Sequence, residues 1–160
     1  MATKKFSEPK NRYCDEHRDK ISTLKDKLVE RSEVMFGLKE ISRSCRGFLG
    51  RKNAEYMIGK LVGGEALVEE NGKHVYTARL VWFGCTKDKD GDTRLCVKIT
   101  VTRTETETVR GKTREVIHND YPTHYSVVWG DNLIELLGLV IDEMDEALSN
   151  AERQDYVKNK

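Results

Sequence analysis

From Thr93 to Val109 the chain alternates, with Leu95, Val97, Ile99 and Val101 at every second position. A period of two places these side chains on one face of a strand, and a helix with its 3.6-residue period cannot reproduce it. The continuation, Thr104-Glu105-Thr106-Glu107-Thr108, keeps strand-forming threonines but has no apolar face. That half of the strand is expected to project beyond the core.

Strand signals surround this stretch. Asn71-Gly72 is a hairpin signal joining a strand over residues 65–70 to a longer one over 73–83. The loop 86–92 is polar and has Gly91 for its turn, and Gly111 turns the chain into a strand over 112–118. Asp120, Pro122 and Thr123 interrupt that strand before 125–129 resumes it.

Helical spacing flanks the strands. Cys14, His17, Ile21, Leu24 and Leu28 recur at steps of three and four, a narrow stripe on an otherwise charged helix. A second stripe follows in shifted phase: Val34, Leu38, Ile41, Cys45 and Phe48. Arg31 stands where the first stripe would continue, which predicts a break near 31–33, and Gly47 and Gly50 are expected to end the second helix. Asn53 can cap a short helix over 54–61, closed by Gly63-Gly64. Asp131 is expected to cap the last helix, the most apolar segment, with Leu133, Leu137, Val140, Met144 and Leu148 on one face, widened by Ile134, Leu136 and Ile141. Its outer face is acidic through Asp142, Glu143, Asp145 and Glu146.

These elements predict an α+β fold: N-terminal helices, an antiparallel β-meander of three to five strands, and a C-terminal amphipathic core helix. Three regions follow: a basic helical arm over 1–52, an αβββα-like domain over 53–150 and a polar tail over 151–160. A hydrophobic share of 38% against a charged share of 34% describes a thin core under a solvated surface. No apolar run approaches the length of a membrane span, and no apolar stretch follows the basic N-terminus as a secretory signal would require. Cys14, Cys45, Cys85 and Cys96 are irregularly spaced, so free thiols and a cytoplasmic location are expected. Formal charge runs from about +6 over 1–60, through about 0 over 61–130, to about −5 over 131–160.

The familiar chemical motifs do not close. The loop Asp88-Lys89-Asp90-Gly91-Asp92 imitates a calcium loop, but glycine stands fourth rather than sixth and Ile99 occupies the place of the bidentate glutamate. Cys14 and His17 are one helical turn apart and Cys85 and Cys96 flank a hairpin turn, yet no second pair has matching zinc-ligand spacing. His124-Tyr125-Ser126 is a single His-x-Ser element where phosphoester chemistry of that type needs two. No nucleophile signature or phosphate-cradling glycine loop occurs. No metal and no cofactor is expected.

The element order over 53–150 is also that of the double-stranded RNA-binding domain, whose last helix begins with lysines. Here Asp131 and Glu135 stand at that point, where carboxylates repel phosphate. In composition the chain is similar to small regulatory and inhibitor proteins, phage-encoded inhibitors of host enzymes among them. The expected function is non-catalytic protein binding, of inhibitor or adaptor type, through an exposed ridge of Ile21, Leu24 and Leu28, which would also support a homodimer. The alternative is nucleic-acid binding through the basic run Arg43, Arg46, Arg51 and Lys52. An enzyme whose site assembles only in three dimensions, with Cys85, His118 and His124 as the groups to test, comes third. The ridge is expected to stand free of the β domain. Packing of the basic helices on the acidic C-terminal helix is the other arrangement open to it.

Overall fold

The computed structural model describes residues 6–43, 47–87, 89–90 and 93–159. Its elements run α1 (Asp15–Phe36), α2 (Leu38–Arg43), α3 (Gly47–Val62), β1 (Ala66–Asn71), β2 (His74–Lys87), β3 (Thr93–Val109), β4 (Lys112–His118), β5 (His124–Gly130) and α4 (Leu133–Lys158). The fold is α+β, and β1 to β4 form an antiparallel meander.

β3 is the spine of the sheet. β2 lies along one side of it from Thr93 to Glu105. The other side is shared end to end: β5 pairs with the first half, Thr93 to Ile99, and β4 with the second, Arg103 to Val109. Beyond Glu105 the strand has only β4 as neighbour, so the Thr/Glu stretch does project as a two-stranded ribbon. Its glutamates face one way, where Glu107 meets Arg114 at 2.5 Å and Glu105 meets Arg103 at 3.3 Å.

The helices occupy the face of the sheet that carries Leu95, Val97, Ile99 and Val101, all buried. α4 lies against it with Leu133, Leu136, Leu137, Val140, Ile141, Met144 and Leu148 buried at steps of one, three and four. Each such side chain contributes roughly 1.5–3 kcal/mol when fully buried. The start of α4 is locked reciprocally: the Asn132 side chain accepts the Glu135 N–H at 2.9 Å, and the Glu135 carboxylate accepts the Asp131 N–H at 3.2 Å. The cap is therefore Asn132 rather than Asp131.

Several expectations need correction. α1 is not a free arm. Ile21 is 8% exposed and Leu28 fully buried, with Leu24 packed against the same core, because the stripe forms a seam with α4. Opposed charges frame that seam: Lys25 meets Asp142 at 2.7 Å and Arg12 meets Asp145 at 3.3 Å. The break falls at Gly37, whose φ of +76° suits glycine and ends α1 after Phe36. Among the described side chains of the second stripe, Val34 and Leu38 are exposed and Ile41 reaches the core. Cys45 lies outside the described residues. α3 begins at Gly47, so neither Gly47 nor Gly50 stops a helix and Asn53 is internal. The chain end is not a polar tail. α4 continues to Lys158, and Ala151, Glu152 and Asp155 are buried in it.

The buried polar residues of α4 explain that extension. Asp155 accepts from the hydroxyls of Tyr76, at 2.7 Å, and Tyr121, and lies 3.4 Å from the Arg103 guanidinium. Arg103 also donates to Nδ1 of His74 at 3.0 Å, so that nitrogen is unprotonated. Phe6 stacks on the His74 ring at 4.3 Å and closes the network from outside. A second cluster joins α1, β1 and α4. His17 meets Asp145 at 2.7 Å, Lys20 meets Glu69 at 2.6 Å, and Asn71 donates to Glu152 at 3.3 Å.

Candidate functional site on the open face of the sheet

Among the described residues no helix packs on the other face of the sheet. Alternation along β3 and β5 sends Arg94, Cys96, Lys98, Tyr125, Val127 and Trp129 to that side. β2 would not follow by simple alternation. His74, Tyr76, Ala78 and Leu80 face the helices, and continuing the period would turn residue 82 inward as well. A β-bulge at Val81 shifts the register between Leu80 and Trp82, so Phe83 and Cys85 face the helices instead and Trp82 points outward.

The result is a small grid. One row reads Trp82, Lys98, Tyr125; the next Gly84, Cys96, Val127; the third Thr86, Arg94, Trp129. Trp82, Tyr125 and Trp129 are 55%, 69% and 49% exposed, and they include both tryptophans of the chain. The Trp82 indole lies over Gly84. A Cβ on that glycine would stand 3.3 Å from the ring edge, so any larger residue would press on it. The Lys98 ammonium is 5.4 Å from the centroid of the Tyr125 ring. No position in the grid is acidic. Arg79 adds a third cation on the same face, opposite Thr100, and Thr77, Thr102, Thr104 and Thr106 continue it toward the ribbon. Arg79, Arg94 and Lys98 form no ion pair among the described residues. Three large aromatic side chains are thus left half open on one face of the sheet.

The sequence-level candidates fall elsewhere. Ile21, Leu24 and Leu28 belong to the core or its margin. Arg51, partly buried, and Lys52, exposed, lie on α3, and Arg43 closes α2. Arg46 lies outside the described residues. Cys85, His118 and His124 are not brought together. Cys85 is buried opposite Leu95, while His118 is opposite Arg103, about 27 Å further along β3. Cys85 and Cys96 point to opposite faces, so they cannot share a metal. His17 of the Cys14–His17 pair is engaged with Asp145. Asp88, Gly91 and Asp92 of the calcium-like loop lie outside the described residues, and its flanks are strands, as expected.

Among the described residues, one group places three possible metal-ligand atoms near one another. His124, Glu143 and Glu146 bring one ligand atom each within 4.8 Å of the others. A charge-assisted hydrogen bond of 2.8 Å between His124 and Glu143 accounts for most of it. The buried hydroxyls are perturbed: burial above all, then the hydrogen bond to Asp155, raises both Tyr76 and Tyr121 above the ordinary range. Burial also raises Glu152 to about 7. These groups point inward and are tied to one another, whereas the open face points outward.

Nothing in the sequence marked the open face as such. Tyr125, Val127 and Trp129 alternate visibly, but alternation does not say which side a helix covers. Comparison of the chain with protein-family models, with curated proteins and with solved structures finds no match.

Proposed function

We propose that the protein is a non-catalytic binding module that acts by occupancy, and that the open sheet face is its working surface. One observation carries this reading: Trp82, Tyr125 and Trp129 stand half exposed on a single face beside Arg94 and Lys98. Tyrosine, tryptophan and arginine are the residue types that dominate binding energy at contact surfaces. The inward closure of the two titratable networks supports a structural use of those groups. A regulator of inhibitor or adaptor type needs only such a surface, and the reading places it in the cytoplasm, where Cys14, Cys85 and Cys96 stay reduced.

The test is radical footprinting of the full chain in buffer and in a cleared cell extract. Trp82, Tyr125 and Trp129 are expected to be protected from oxidation in extract while exposed Tyr13 and Met35 are not. Equal oxidation of all five residues in the two conditions would contradict the reading.

A further inference from the structure

We propose that the ligand of the open face is a single-stranded nucleic acid. The assignment rests on the reading of that face as the working surface and adds the class of molecule it takes.

Three observations point to it. The first is how the cations are placed. Lys98 sits in the middle of a row between Trp82 and Tyr125, and Arg94 in the middle of another beside Trp129. Lysine is depleted from the centres of protein–protein interfaces, where a buried ammonium must find a carboxylate. A phosphodiester backbone supplies an anion at every nucleotide, so cations flanked by aromatic rings find partners along one strand. The second is the absence of carboxylates from the grid, which leaves nothing on it to repel phosphate. On β3, Glu105 and Glu107 face the helix side while Thr104, Thr106 and Thr108 face the open side; the glutamates of that side, Glu70 opposite Val75 and Glu115 opposite Thr106, lie outside the grid, toward the ribbon.

The third is the exposure of the rings. Trp82, with its ring edge beside Gly84, is 55% exposed, and Tyr125 and Trp129 are 69% and 49% exposed. Exposed rings of this kind can stack on the flat side of an unpaired base, a surface that a duplex keeps inside its own stack. Tyr125 and Trp129 lie on one strand, four residues and about 13–14 Å apart. Three platforms serve about two or three splayed bases, as sheet-face readers of single strands use them.

Both tryptophans lie on this face, so intrinsic tryptophan fluorescence reports on it alone. The full chain is titrated at low salt with oligothymidylate and with oligouridylate of about 12 nucleotides, a typical single-strand site size. A mixed-sequence duplex serves as the control. Saturable quenching by one or both single strands is expected, with little from the duplex. Trp82→Ala, Trp129→Ala and Tyr125→Ala should each weaken binding about 5- to 150-fold, the range of one lost stacking contact. Absence of any quenching, or of any anisotropy shift of a labelled oligonucleotide, overturns the assignment. A shift in anisotropy with unchanged tryptophan emission overturns it too, since the strand then binds elsewhere. The two readings separate in the footprinting experiment repeated on nuclease-treated extract. Protection of Trp82 and Trp129 that survives nuclease sinks the nucleic-acid ligand and leaves the face as a protein-binding surface. Protection absent from untreated extract sinks both.

Discussion

Lys98 of β3 stands directly opposite Tyr125 of β5 on the open side of the sheet, its ammonium 5.4 Å from the ring centroid. An exposed cation–π contact contributes about 0.5–1 kcal/mol to a fold. The pair therefore matters little for stability, and its neighbours Trp82 and Trp129 are half open as well. Lys98→Ala, Tyr125→Ala and Trp82→Ala are each expected to change the unfolding free energy by less than about 1 kcal/mol. Chemical denaturation followed by circular dichroism checks this. A loss of several kcal/mol would mean that the face is packed against something in the folded chain.

α1 should behave in the opposite way. Leu28 is fully buried in the seam with α4, so Leu28→Ala should cost about 2–5 kcal/mol. Leu24→Glu together with Leu28→Glu should abolish cooperative thermal unfolding. A well-folded double variant would show that α1 docks weakly and can leave the core.

The contrast between these two regions shows what could be read from the residues alone. The bounds of β3 and β4 follow from period-two patterning and the turn residues around Gly111, and the apolar stripe of α4 is plain. The stripe of Ile21, Leu24 and Leu28 is equally plain, but its spacing is the same whether it meets solvent, a partner or α4. Glu152 and Asp155 read as tail because their partners, Asn71 and Tyr76, are 81 and 79 residues away. Trp82 is the harder case. Counted by twos from Tyr76 it belongs inside, and only the extra residue at Val81 turns it out.

Glu152 makes stability depend on pH. Burial above all holds its carboxyl at about 7; Glu69 adds to the rise, while the hydrogen bond from Asn71 and the charges of His17 and Lys20 oppose it. The folded chain thus holds this proton more tightly than the unfolded chain. Its stabilising contribution is complete below the ordinary value of 4.5 and is lost as pH rises through about 7. Glu152→Gln should raise the melting temperature near pH 8 and leave it nearly unchanged near pH 5, roughly the two sides of that window. An equal shift at both pH values would assign the effect to packing instead.

Tyr76 and Tyr121 should resist ionisation. Both hydroxyls are raised by burial first and by Asp155 second. In a spectrophotometric titration two of the six tyrosines should stay protonated until the fold is lost. Asp155→Ala strands both hydroxyls and Arg103, and should cost about 3–5 kcal/mol, as breaking a buried charge network does. Six tyrosines titrating together in the folded protein would contradict this network.

Salt dependence tests the open face as a polyanion surface most directly. Each phosphate contact on a single strand contributes about −0.7 to the slope of log affinity against log salt. Arg79, Arg94 and Lys98 together predict a slope near −2 for oligothymidylate, and Arg94→Ala with Lys98→Ala should bring it to about −0.7. A slope near zero, or one that the double substitution leaves unchanged, would contradict the account.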